Sequence, residues 1–151
     1  MKSSYFKENA ISFTIVCIAT LTACLAIFFL PERIPMQWSG TKVIWYADRI
    51  AIFLAPIISA IVVVFLKPVI DSFFRTYLTL LPKLSGIIVS GIALILYSCE
   101  LYTIAFCFGL RWQLKYIVSL EFLFLAICCL LYILKTRKFL KSNKMRNQEH
   151  F

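Results

Sequence analysis

The sequence predicts an all-α integral membrane protein. The expected architecture is four transmembrane helices plus one interfacial amphipathic helix, with both termini in the cytoplasm. Three observations predict it. Four apolar runs of membrane-crossing length follow one another along the 151 residues. The chain is 62% apolar and only 15% charged, against about 45–50% and about 25% in soluble domains. Its Lys and Arg are shared unevenly between the connections, as orientation in a bilayer requires.

Residues 1–134 read as a single transmembrane domain and 135–151 as a basic cytoplasmic tail. The first span is 11–30, ISFTIVCIATLTACLAIFFL, without a charge. As a helix it covers about 30 Å, the hydrocarbon thickness. Leu21-Thr22-Ala23-Cys24 matches a lipoprotein processing box. The apolar run continues through Leu25–Leu30 and further spans follow, so an uncleaved span is the expectation.

Residues 31–49 read as a loop. Pro31 and Pro35 lack backbone donors and bar a regular helix, and Gly40 suggests a turn. Trp38, Trp45 and Tyr46 suit the headgroup layer. The second span is 50–66, with a kink expected at Pro56. Residues 68–82 follow as the interfacial helix. Val69, Ile70, Phe73, Phe74, Tyr77, Leu78 and Leu81 recur at helical spacing, with Asp71, Ser72, Arg75, Thr76 and Thr79 opposite. A bent continuation of the second span is the alternative. The third span, 84–110, carries Glu100, and its Ser90 and Gly91 suit close helix packing. The fourth span is 116–134, with Glu121 about one turn inside.

Eleven Lys and Arg fall on one side of this arrangement: Lys2, Lys7, Lys67, Arg75, Lys83 and the tail cluster Lys135, Arg137, Lys138, Lys141, Lys144 and Arg146. Five fall on the other: Arg33, Lys42, Arg49, Arg111 and Lys115. The richer side is cytoplasmic, so the 31–49 segment faces outward. The net charge of +9 is therefore read as topology and lipid attraction, not direct nucleic-acid binding. The tail, with no fold of its own, is expected to meet anionic lipid.

Chemistry-bearing residues are few. The six cysteines lie inside apolar runs, and His150 is the one histidine. Neither a metal site, a cofactor nor a disulfide is expected. No nucleophile elbow or glycine-rich phosphate loop is present, so no enzyme is expected. Glu100 and Glu121 are the intramembrane polar candidates. A charged carboxylate at mid-membrane costs about 3 kcal/mol or more, so such groups pair or serve a function. A structural tie to Tyr97, Tyr102 or an arginine is favoured over an ion or proton site, and both acids fall in the outward half, where they can approach each other or meet Arg33, Arg49 or Arg111.

Leu30–Gly40 is the candidate recognition segment. Pro31 and Pro35 limit the entropy lost on binding, and Glu32 and Arg33 supply charge. Gln37 supplies an amide, Trp38 an anchor and Gly40 the turn. In the competing reading, the segment only ends one helix and seats Trp38 in the headgroups.

Leu30-Pro31-Glu32-Arg33-Ile34-Pro35, with Trp38 and Gly40, resembles the LPxxIPxH…G signature of a bacterial membrane domain of unknown function. That domain opens SdpI-type immunity proteins, and the resemblance covers about residues 10–66. Gln37 stands where that signature has histidine, and the loop before Gly40 is shorter. The resemblance implies a multi-pass cell-membrane protein that acts by binding. Its implied partners are a secreted toxin peptide and a cytoplasmic repressor held at the membrane. A small transporter or channel subunit using Glu100 and Glu121, and an accessory subunit that only packs, are the alternatives.

Overall fold

The computed structural model describes residues 2–40, 42–77 and 84–148, with side chains described over 10–40, 42–73 and 84–136. The order is α1 (Lys2–Ala26), β1 (Arg33–Ser39), β2 (Lys42–Asp48), a 3-10 segment (Arg49–Phe53) and α2 (Leu54–Ile61). A π segment (Val62–Leu66), α3 (Lys67–Tyr77), α4 (Leu84–Cys107) and α5 (Leu114–Gln148) complete it.

Among the described residues, three helical stretches are long and apolar enough to cross a membrane: Arg49–Phe73, Leu84–Cys107 and Leu114–Thr136, of 25, 24 and 23 residues. Within α1, Ala10–Ala26 is a shorter apolar helix. The molecule is a multi-span helical membrane protein. Threonine hydroxyls on these helices bond their own backbone, as Thr14 to the Ala10 carbonyl at 2.8 Å and Thr20 to the Val16 carbonyl at 2.8 Å. A hydroxyl facing hydrocarbon is satisfied locally in this way.

α4 is the central element, with α1, α2, α3, α5 and β1 all packed on it. Small residues make its seams. Ser12, Ala19, Ala23 and Ala26 are the buried face of α1, and Ser12 Oγ meets Ser90 Oγ at 2.8 Å. Gly91 faces α5, where an added Cβ would lie 2.4 Å from Leu125 Cδ1. Close backbone approach through small residues is the packing mode open to helices in lipid. A Schellman motif ends α4. Gly109, at φ 104°, donates to the Phe106 carbonyl at 3.1 Å, and Leu110 to the Ala105 carbonyl at 3.0 Å.

The structure departs from the sequence reading in three places. The segment 31–49 is no loop: β1 and β2 form an antiparallel hairpin, Arg33 opposite Asp48 and Ser39 opposite Lys42. Gly40, at φ 62°, occupies its turn, a backbone region cheap for glycine. The register shifts between Pro35 and Trp38, a bulge that accommodates the missing proline donor. Second, α3 continues the second span without a break, so the interfacial helix expected over 68–82 is not a separate element through Tyr77. The rest of it, 78–82, lies outside the described residues. The π segment ends at Leu66, two residues ahead of Pro68, whose absent N–H interrupts the helical ladder. Inside the same stretch, Pro56 follows the change from 3-10 to α-helix at Leu54. Third, the helix of the fourth span does not stop at 134, because α5 runs on through the basic tail to Gln148.

Candidate functional site

The hairpin is held by its base. Ala23, Ala26, Leu30, Ile34 and Ile52 form one buried cluster, with Met36, Ala51, Phe53, Ile104 and Cys107 around it. The chain reaches this cluster by leaving α1 early. The Phe29 and Leu30 amides both donate to the Ala26 carbonyl at 2.9 Å, which turns Leu30 inward. Beyond the strands, the Arg49 amide donates to the Glu32 carbonyl at 2.9 Å. Asp48 Oδ1 then accepts from the Ile50 amide at 2.9 Å and caps the helical segment that follows.

Alternation along β1 splits the recognition candidates into two sets. Pro31, Glu32, Arg33, Gln37 and Gly40 are exposed, whereas Pro35 is buried and Trp38 half-buried. Trp38 turns inward onto α4. Its ring makes edge contacts with Tyr102 and Phe106, centroids 5.3 and 6.0 Å away. Arg111 extends the stack, its guanidinium 4.4 Å from the Phe106 centroid. The Tyr102 hydroxyl donates to the Trp112 carbonyl. An aromatic cluster thus joins the hairpin, α4 and the α4–α5 turn.

Beneath the hairpin lies a cavity of about 370 Å³. Met36, Gln37 and Trp38 of β1 line it, with Ala51, Ile52 and Ala55 of the second span, Cys99, Glu100 and Thr103 of α4, and Leu114 of α5. Glu100 is 2% exposed, and neither carboxyl oxygen has a hydrogen-bond partner among the described residues. The buried Trp38 Nε1 has none either. Unpartnered buried polar atoms are rare in native structures, and each calls for a water, an ion, strain or a functional role. The expected tie of Glu100 to Tyr97, Tyr102 or an arginine is not formed. Tyr97 instead meets Thr22 Oγ1 at 3.3 Å, Tyr102 bonds the Trp112 carbonyl, and Arg111 bonds the Phe106 carbonyl at 3.4 Å.

Glu121 sits elsewhere. It accepts a hydrogen bond from the Ser98 hydroxyl and lines a separate, apolar cleft of about 440 Å³ between α4 and α5, beside Gly91, Leu125 and Cys128. Two of the predicted sets therefore come together, the hairpin and Glu100, and the two acids do not share a cavity. Lys135 is exposed on α5. Arg137, Lys138, Lys141, Lys144 and Arg146 follow on the same helix, and their side chains lie outside the described ones.

Sequence reasoning missed Met36, Thr103 and Ser98. Glu100 and Thr103 are three apart and share a helix face, a usable signal. Met36 becomes a neighbour of Glu100 only through the hairpin. No group of three or more metal-ligating side chains gathers among the described residues.

Fold and site together define a multi-pass helical membrane protein whose hairpin covers a carboxyl-bearing cavity. Among curated proteins, the chain is similar to the immunity protein SdpI of Bacillus subtilis (strain 168), 41% identical over 56 residues. The match takes in 36% of this chain and 27% of that protein, so the chain matches about a quarter of the relative's length. No family model matches the chain. No solved structure matches it.

Proposed function

We propose that the chain is a cell-membrane immunity protein that acts by binding a secreted peptide toxin, not by catalysis. In this reading four helices cross the bilayer, the termini are cytoplasmic and the hairpin faces outward. Exposed Glu32, Arg33 and Gln37 meet the toxin on a strand whose next residue, Trp38, is anchored on α4. The observation that carries the reading is the hairpin itself, a rigid paired element seated over a cavity with unpartnered polar groups. The similarity to SdpI, itself an immunity protein, points the same way. A preformed surface loses little entropy on binding. The α5 tail would hold anionic lipid through Lys135, Arg137, Lys138, Lys141, Lys144 and Arg146, and could offer a cytoplasmic repressor its docking point.

The test is protection. In a toxin-sensitive strain, Arg33→Ala with Gln37→Ala should abolish protection while expression and melting stay at wild-type levels. Full protection by the double variant removes the hairpin as the toxin-facing surface.

Transport is the second reading, favoured by the unpartnered Glu100 and opposed by the separation of Glu121 into its own cleft. It requires a flux in proteoliposomes that Glu100→Gln abolishes.

A further inference from the structure

The cavity under the hairpin has a definite chemistry. Glu100 offers two acceptor oxygens with no donor among the described residues. An ionised carboxylate buried without a counter-charge is costly, and a cation offsets that cost only where it is closely seated and further hydrogen bonds are made. Among the described residues no cation bonds Glu100. Arg111 is engaged with Phe106, and Arg33 and Arg49 are exposed. Trp38 adds an indole and an unpartnered N–H donor, and Met36 a polarisable thioether. The face of an aromatic ring attracts an ammonium group through its quadrupole, and an indole and a thioether both pack against an alkyl stem. Gln37 both lines the cavity and is exposed on β1, so the cavity meets the outside at that side chain. A volume of about 370 Å³ lies at the lower end of ligand sites, which run about 300–1,000 Å³. It suits one side chain, not a folded segment.

We infer that this cavity binds a primary ammonium on an apolar stem, as a lysine side chain of a peptide presents. The ammonium pairs with Glu100, the stem lies along Trp38 and Met36, and a carbonyl beside the stem accepts from Trp38 Nε1. The inference rests on the reading of the hairpin as a recognition element and adds the class of group recognised. The same ammonium chemistry is found in free alkylamines, so the test separates the two sources.

The test uses the full chain in nanodiscs, with Trp45→Phe and Trp112→Phe so that Trp38 alone reports. N-acetyl-lysine methylamide should change Trp38 fluorescence saturably. N-acetyl-norleucine methylamide, with the same stem and no charge, should not at equal concentration. Glu100→Gln should weaken the lysine response at least tenfold. Tighter binding of the lysine compound than of n-butylammonium supports a peptide source; equal binding of the two supports a free amine in the same cation site. An equal response to norleucine, no response to lysine, or undiminished binding in Glu100→Gln overturns the inference. Should Glu100→Gln fail to fold, the lysine and norleucine pair on the unaltered cavity decides alone. Toxin protection is not read in this assay, so loss of ammonium binding and loss of the immunity reading are told apart.

Discussion

Replacing Trp38 with alanine tests whether the hairpin is anchored on α4 through that ring. Trp38 makes two edge contacts, with Tyr102 at 5.3 Å and Phe106 at 6.0 Å between centroids. Each such pair contributes about 0.5–1.5 kcal/mol beyond buried area. Truncating a fully buried tryptophan costs about 3–5 kcal/mol. Trp38 is half-buried, and scaling by burial gives about 1.5–2.5 kcal/mol. For a chain of this size that is a fall in Tm of about 3–10 °C, at about 2–4 °C per kcal/mol. The indole N–H has no hydrogen-bond partner among the described residues, so Trp38→Phe loses no bond seen there and keeps an aromatic ring on Tyr102. It should cost under about 1 kcal/mol, since its losses are confined to ring area. The assay is thermal unfolding in detergent, followed by near-ultraviolet circular dichroism, which reports the aromatic cluster. If Trp38→Ala melts with the wild type, the ring does not anchor the hairpin. If Trp38→Phe falls as far as Trp38→Ala, a retained aromatic ring on Tyr102 does not anchor the hairpin.

Gly91→Ala should lower stability by about 1 kcal/mol and Gly91→Val by about 1–3 kcal/mol, through overpacking against Leu125. Adding Leu125→Ala should restore part of the Gly91→Ala loss in the same unfolding assay; strict additivity of the two costs would show that the side chains do not meet. For orientation, a cysteine replacing Ser39 should react with an impermeant maleimide on intact cells, and one replacing Ser142 should not; native cysteines are first changed to alanine, and the reverse labelling pattern reverses the topology.

The membrane character of this chain was open to a reader of the sequence, because it depends on local quantities. Uncharged runs long enough for a bilayer form helices in lipid whatever else the chain does, since each backbone group must bond within its own segment. The small residues Ser90 and Gly91 announced close packing for the same local reason. The hairpin was harder. Val43-Ile44-Trp45-Tyr46 has strong strand propensity, yet Pro31 and Pro35 argued for irregular chain. Only the bulge beside Pro35, with Ile34 buried against Ala26, Leu30 and Ile52, allows a proline-bearing strand there. The continuity of α3 with the second span was likewise decided by the chain's packing, since Lys67 is buried and bonds Asp71 at 2.7 Å one turn on, while Val69 and Phe73 are exposed. An amphipathic pattern names two faces and does not say which one the protein takes. The partners of Glu100 and Glu121 belong wholly to the tertiary structure. Both acids were visible as intramembrane carboxyls, but helix rotation sends Glu121 to Ser98 and Glu100 under the hairpin, more than sixty residues away in sequence from Gln37 and Trp38. Long-range neighbours of that kind follow from how helices pack, and no local spacing encodes them.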